Sequence, residues 1–429
     1  MRDIALTLIV FGFIPYILIK PQVGIYVWSW LSYMNPHRYT YGFAYTMPFA
    51  QSVAIATLMG ILFWKEPKRI PGTGLIILWV LFLIWMAVTT VFAFYGYSTD
   101  QLIKVYKIQL VTFLTIMLIK SKKDINILVW VIALSVGFFG IKGGIFTLQT
   151  LGAYRVWGPP GSFIEDNNEL ALALLMTLPL FYYLKSQLKA AWQKWIIVIL
   201  MLLIAISAFG SQSRGAFLAA GATAFFLWLK TPNKIVTGFL LIVLGIGVIS
   251  FMPQSWHDRM STITNYEEDS SAMGRIEAWK MATNLANSRI TGGGFSMWSP
   301  MVYQRYSNNP STWNARTAAH SIYFSILGEH GWPGLLLFLG VLFAAWRTSV
   351  LIIKKSAKDI SLKWLADLTR MIQVSLVTYM AGGAFLSLSY FDLPWHLISI
   401  LVIGRVLVEE QQANSDKIRA LGEITPTIR

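Results

Sequence analysis

Cysteine is absent from the 429 residues, so disulfides, thiolate nucleophiles and thiolate metal sites are excluded together. Charge is scarce too: charged residues make up 13% against 55% hydrophobic, which excludes a soluble domain with a solvated surface. No G-x-x-x-x-G-K-[ST] run occurs, so no ATP-driven cycle is indicated. There is no Asp-x-Asp pair and no H-E-x-x-H, and the acidic run Glu267 to Asp269 reads as a solvated turn. Neither a metal nor another cofactor is therefore expected. An internal repeat of useful length is lacking, which weakens the inverted-repeat signature of secondary transporters. The first apolar run, Ile4 to Ile19, has no small-residue cleavage site before Lys20-Pro21 and reads as a retained span rather than a signal peptide.

What the chain has instead is long apolar runs. LIILWVLFLIWMAVTTVFAF and KWIIVILMLLIAISAFG reach the roughly 20 residues that cross a hydrocarbon core as helix, whereas a β-barrel would show short alternating segments. The expected fold is an all-α polytopic membrane protein with about twelve transmembrane helices, near 3–19, 43–64, 74–95, 101–120, 125–147, 168–185, 193–210, 213–230, 234–252, 321–347, 371–391 and 394–408. A shorter run near 22–34, VGIYVWSWLSYM, reads as a re-entrant or interfacial helix. The chain thus divides into N-terminal spans (1–252), a polar loop (253–320), C-terminal spans (321–408) and a charged tail (409–429). In the loop, RIEAWKMATNLANS predicts a short amphipathic helix, and TGGGFSMWSP and YSNNPSTWN predict turns.

The formal net charge is +15, but the basic residues are scattered through short connections rather than gathered on a face, so membrane orientation explains them better than nucleic acid. Lys65, Lys68 and Arg69; Lys120, Lys122 and Lys123; Lys185, Lys189 and Lys194; Lys230 and Lys234; and Arg347 through Arg370 mark alternate connections as cytoplasmic. The connections 96–101, 152–167, 210–213 and 253–319 then face the periplasm, and both termini are cytoplasmic. This places Arg214, Arg275 and His320 on one outer face.

Arg214, in SQSRGAF, is either a snorkelling arginine or an anion ligand. Arg275 falls in the expected first turn of the loop helix, where the macrodipole disfavours a cation; it meets an anion or pairs with Glu267, Glu268 or Asp269. His320, at the start of an apolar helix, suits proton transfer near neutral pH, and is otherwise a structural hydrogen-bonding group. Lys104, Lys107 and Lys142 lie in or near spans, where cations snorkel or face an anionic partner. Arg155, Glu165 and Asp166 belong to the rigid GPPG loop, in which Asp166 or Asn167 caps the next helix. Without a metal, guanidinium groups would have to stabilise an anionic leaving group.

SQSRGAF, MGRIEAW, TGGGF and especially AAHSIYFSILGEHGWPG resemble the O-antigen ligase and polymerase superfamily of bacterial envelopes. WSWLSYMNPHRYTYGFAY and KGGIF…RVWGPPGSFIEDNNELALALLMTLPL look more narrowly like O-antigen ligases and exosortase-associated O-glycosylation ligases. The resemblance implies a GT-C-type glycosyltransferase of the bacterial inner membrane. It would carry a large periplasmic loop and move a glycan from undecaprenyl pyrophosphate to a sugar hydroxyl of lipid A-core. It further implies that Arg214 and Arg275 hold the pyrophosphate and that His320 activates the acceptor, with Lys104, Lys107, Lys142 and Arg155 as further substrate-binding residues. One departure is His330, where the motif leads one to expect an apolar residue. The same residues fit an O-antigen polymerase or a protein O-oligosaccharyltransferase. A lipid-linked glycan flippase is a different class of reading, in which the lysines would matter more than His320.

Overall fold

A computed structural model describes residues 1–68, 70–261, 270–312, 318–357 and 359–423. Glu267, Glu268, Asp269, Trp313 and Asn314 lie outside the described residues. Sixteen α-helices occur among those described: α1 Arg2–Ile19, α2 Gln22–Met34, α3 Phe49–Phe63, α4 Gly74–Val91, α5 Ser98–Leu118, α6 Lys122–Gln149, α7 Asn167–Gln187 and α8 Ala191–Gly210. They continue with α9 Arg214–Lys230, α10 Lys234–Phe251, α11 Gln254–Ser261, α12 Ser270–Ser288, α13 Pro300–Tyr306, α14 Ile322–Ser356, α15 Lys363–Gly383 and α16 Asp392–Glu423. The protein is an all-α polytopic membrane protein. Side-chain caps set several starts: Thr73, Ser121, Asp166 and Ser213 each accept a first-turn N–H of α4, α6, α7 and α9.

Eight of these helices are by themselves long and apolar enough to cross a membrane: α1, α4, α5, α6, α7, α8, α10 and α14. Of the other expected spans, α3 and α9 are short at 15 and 17 residues. Both α15 and α16 are more polar; α15 carries Lys363, Asp367 and Arg370 in its first half. Its packing accounts for that composition, since α7, α9, α14 and α16 surround it and little of its surface needs to be apolar. Helix α2 packs against α1, α3, α5 and α6, and no residue of it is exposed, so it lies inside the bundle. Its contact with α3 is close: a Cβ on Gly24 would stand 1.9 Å from Thr57 Oγ1.

The long connections gather at one end of the bundle. Phe94 N donates to Gly293 O at 3.0 Å, Asn167 Nδ2 to Ser211 O at 2.7 Å and Val156 N to Gly210 O at 3.3 Å. At that end α12 packs on α14, and Ala278, Met281, Ala282, Leu285, Met297, Val302 and Tyr303 form a second, smaller core.

One local break explains the docking of this subdomain. Pro333 has no N–H for the carbonyl of Glu329, and Gly331, at φ 66° and ψ −173°, takes the chain out of helix before Trp332 can reach the carbonyl of Gly328. Two buried carbonyls are thereby orphaned. The TGGGF turn supplies the missing donors: Gly293 N reaches Gly328 O and Gly294 N reaches Glu329 O, both at 2.9 Å. Side chains close the same region. Tyr390 donates to Glu329 Oε2 at 2.5 Å and meets His330 Nε2 at 2.8 Å. The other ring nitrogen of His330 meets Thr89 Oγ1 at 2.7 Å, and Glu329 Oε1 accepts from Ser296 N at 3.0 Å. These bonds join the end of α4, the TGGGF turn, α14 and the segment 384–391.

Three sequence expectations shift. The span expected at 371–391 ends at Gly383, and the apolar residues 384–391 form a non-helical strap. The span expected at 321–347 runs to Ser356, with its break at Gly331. Helix α12 starts at Ser270, so Arg275 falls in the second turn rather than the first, where the macrodipole acts less on it.

Only glycine tolerates the Gly331 backbone, and a Cβ there would stand 2.1 Å from Ile290 O. Gly331→Ala is expected to cost about 2 kcal/mol or more of stability. Gly12→Ala, with nothing within 4 Å of its Cβ position, should cost none; thermal unfolding in detergent compares them.

Candidate active site

The strap 384–391 joins α15 to α16; Arg275 and His320, both singled out by sequence, meet on it, and the start of α9, which carries Arg214, lies against it. Arg275, from the second turn of α12, donates through Nη1 to Phe385 O at 3.3 Å. His320 precedes the N-cap of α14, and its Nδ1 lies 3.4 Å from Ser387 Oγ. Arg214 is the first residue of α9, and a Cβ on the next residue, Gly215, would lie 3.3 Å from Phe385 Cβ. Three chain segments, distant in sequence, therefore converge on Phe385 and Ser387.

Local structure fixes each approach. Ser213 Oγ caps α9 by accepting from Ala216 N at 3.1 Å, which sets Arg214 at the first turn. The preceding turn is held by Asn167 Nδ2 on Ser211 O at 2.7 Å and by Arg259 Nε on Gln212 O at 2.9 Å. His320 has φ +43°, a left-handed conformation that costs a non-glycine residue about 1 kcal/mol or more. The neighbours hold it there: Ala319 and Ser321 are fully buried, and Trp279 Nε1 donates to Ala319 O at 2.7 Å. Trp279 also stacks on Phe324 at 4.9 Å between centroids, tying α12 to α14 beside the histidine.

Two carboxyls complete the cluster. Asp166, the N-cap of α7, accepts from Asn168 N at 2.8 Å and interacts electrostatically with His320. Glu169, buried in the first turn of α7, accepts from Ser387 N at 3.3 Å. Burial pushes the Asp166 carboxyl upward, but hydrogen bonds from the adjoining Glu169 carboxyl and from Asn168 outweigh it and hold the group below its ordinary value. His320 is shifted below its ordinary value, first by burial and then by the Arg275 guanidinium, while Asp166 opposes the shift. The imidazole is thus neutral at neutral pH, between a cation that resists its protonation and a carboxylate that favours it.

The remaining cations singled out from sequence lie in two neighbouring cavities. Lys104 and Lys107 line one of about 500 Å³, together with residues of α2, α3 and the segment 161–164. Lys142 and Arg155 line another of about 280 Å³ with Arg38 and Tyr39. The connection between α6 and α7 passes all three places, contributing Arg155 through Pro160 to the smaller cavity, Gly161 through Ile164 to the larger and Asp166 to the His320 cluster.

Sequence reasoning passed over Glu169, Ser387, Glu329 and Tyr390, and treated Asp166 as a cap alone. The strap's part was hidden because LSLSYF reads as span. Glu169 and Glu329 are acids inside apolar helices, an intramembrane-charge signal that would have marked them. Among the described residues, no three His, Asp or Glu side chains gather to hold a metal ion.

Comparison with known families now bears on this site. Residues 170–339 match the family described as O-antigen ligase, a stretch that contains Arg214, Arg275, His320, the TGGGF turn and the Gly331 break. Residues 1–188 match a family of unknown function, DUF5935, which spans α1 through α7 and both cavities' lysines. No curated protein matches the chain. The part of the chain that carries Arg214, Arg275 and His320 is thus the part that matches the O-antigen ligase family.

Proposed function

We propose that the protein is an O-antigen ligase that transfers a glycan from undecaprenyl pyrophosphate to a sugar hydroxyl of lipid A-core. The observation that carries this reading is the meeting of Arg275 and His320 on Phe385 and Ser387, with Gly215, the residue after Arg214, against the same strap. A pyrophosphate leaving group needs its charge neutralised more than it needs a general acid, and two guanidinium groups provide that without a metal. The acceptor hydroxyl needs a base, and a neutral imidazole beside a carboxylate is one.

In this reading His320 takes the proton of the acceptor hydroxyl while its oxygen attacks the anomeric carbon. The bond from that carbon to the pyrophosphate oxygen breaks, and the anion departs to Arg214 and Arg275. Attack opposite the leaving group inverts the anomeric centre. Asp166 stabilises the imidazolium that forms, and the proton then passes to water. Lys104, Lys107, Lys142 and Arg155 bind substrate around this centre. The connections at the other end of the bundle carry Lys120, Lys122, Lys189, Lys234 and Lys363, which supports placing that end in the cytoplasm and the site in the periplasm of a bacterial inner membrane.

In liposomes carrying purified lipid-linked glycan and lipid A-core, His320→Ala is expected to lower transfer at least about 100-fold while the protein still inserts. Near-normal transfer would refute His320 as base. A ladder of lengthened lipid-linked glycans from the unmodified protein would identify a polymerase instead.

The pH profile offers a second check. A base acts in its neutral form, so activity should be present above its pKa and fall as pH drops through it; the lowered His320 value puts the acid limb below about pH 6.5. Because Arg275 resists protonation of the ring, Arg275→Gln should move that limb to higher pH, and Asp166→Asn should move it lower. An unmoved limb in both variants would separate His320 from the titration.

A further inference from the structure

Of the two carboxyls in the His320 cluster, only Asp166 enters the transfer steps. Glu169 is the more deeply buried of the pair: it is 7% exposed and sits in the first turn of α7, a helix long and apolar enough to span a membrane. An ionised carboxylate in such a place is costly unless both its oxygens are paired. Those of Glu169 are not. Oε1 accepts from Ser387 N at 3.3 Å, which ties the start of α7 to the strap, whereas Oε2 is buried and no donor among the described residues reaches it. A glutamate three residues after an N-cap commonly reaches back to the cap's own N–H. This one is turned to the strap.

The Glu169 carboxyl also forms a side-chain hydrogen bond with the Asp166 carboxyl. Two carboxylates only accept, so such a bond requires a proton between them. Asp166 Oδ1 already accepts from Asn168 N at 2.8 Å and from Asn168 Nδ2 at 2.6 Å, which makes Asp166 the place for the negative charge and Glu169 the place for the proton. A closed loop results. Ser387 Oγ lies 3.4 Å from His320 Nδ1, Ser387 N donates to Glu169, Glu169 bonds Asp166, and Asp166 interacts with His320. The other charged groups around this loop are Arg275, on α12, which acts on His320, and Arg214, at the start of α9, which packs against α7. Both are cations, which favour one retained negative charge on the carboxyl pair over a second proton.

We propose that Glu169 is a positioning residue that acts as a neutral carboxylic acid, donating to Asp166 and accepting from Ser387 N, and so fixes the carboxylate and the strap hydroxyl between which His320 works. A single buried side chain thereby sets two neighbours of the histidine at once. Its effect on catalysis rests on the glycosyl-transfer reading, whereas the shared proton does not.

The proton is tested without any transfer. In infrared difference spectra between the wild type and Glu169→Gln, both full-length in liposomes at neutral pH, the wild type should show the carbonyl band of a buried protonated carboxyl that the variant lacks. A wild type without that band overturns the proposal. The positioning is tested by transfer kinetics with purified lipid-linked glycan and lipid A-core. Glu169→Met, which fills the space without the carboxyl's hydrogen bonds, should lower kcat about ten-fold or more with KM little changed. It should also move the acid limb of the pH profile lower, as Asp166→Asn does, because a carboxylate no longer held in place favours the imidazolium less. Glu169→Gln, whose amide donates to Asp166 and accepts from Ser387 N, should restore most of kcat and return the limb. Normal kcat in Glu169→Met, a loss with an unmoved limb, or equal impairment in both variants overturns the positioning role. Should Glu169→Met fail to insert, the infrared band and the Glu169→Gln profile decide, and a displaced limb in Glu169→Gln overturns the proposal. A band in a wild type that transfers no glycan sinks the ligase reading alone, and transfer without the band sinks this inference alone.

Discussion

The interruption of α14 at Gly331 and Pro333 is the constraint on which the rest depends. A buried helix that loses two of its own hydrogen bonds must find donors elsewhere, because an unsatisfied carbonyl away from water costs about 1 to 3 kcal/mol. Gly293 and Gly294 supply them, and at Gly294 a side chain would collide with Ala93. The requirement runs both ways. The turn needs glycine to approach, and the break needs the turn, so the polar segment between α10 and α14 is fixed to the bundle by backbone chemistry.

From that fixed point the strap is positioned. Glu329 and His330 precede the break and share the Tyr390 hydroxyl, which anchors one end of 384–391. Phe385 and Ser387 then take the contacts of Arg275, His320 and Glu169. His330, the departure from the expected motif, is spent in this network: both its ring nitrogens are hydrogen-bonded and it is fully buried. The contrast with His320 is instructive. That histidine is only partly buried, held in a left-handed backbone, and its Nδ1 meets Ser387 Oγ only at 3.4 Å.

Much of this was legible in the sequence where a single physical signal dominates. Apolar runs gave α8 and α10 to within two residues, and the start of α4, because hydropathy dominates in a helix facing lipid. Hydropathy failed where burial against protein replaces burial in lipid: α15 begins eight residues before the apolar run that announces it, with Lys363, Asp367 and Arg370 inside the helix. The apolar strap, read as span, is not helical at all. Arg214, Arg275 and His320 stand out in the sequence because their charge interrupts apolar or loop segments near one face. The strap that Arg275 and His320 share does not, since a carbonyl and a serine hydroxyl carry no compositional mark. The split between the Lys104 and Lys142 cavities is likewise tertiary, set by how the connection 150–166 folds over α5 and α6.

The central claim is that Arg214, Arg275 and His320 form one site organised by the strap. A cryo-electron microscopy structure of the protein with a non-transferable glycosyl pyrophosphate lipid analogue tests it most directly. The account predicts the pyrophosphate within hydrogen-bond reach of both guanidinium groups, the anomeric carbon facing His320 and the strap unmoved. A pyrophosphate seated in the Lys142 and Arg155 cavity instead, with His320 turned away from the sugar, would contradict it.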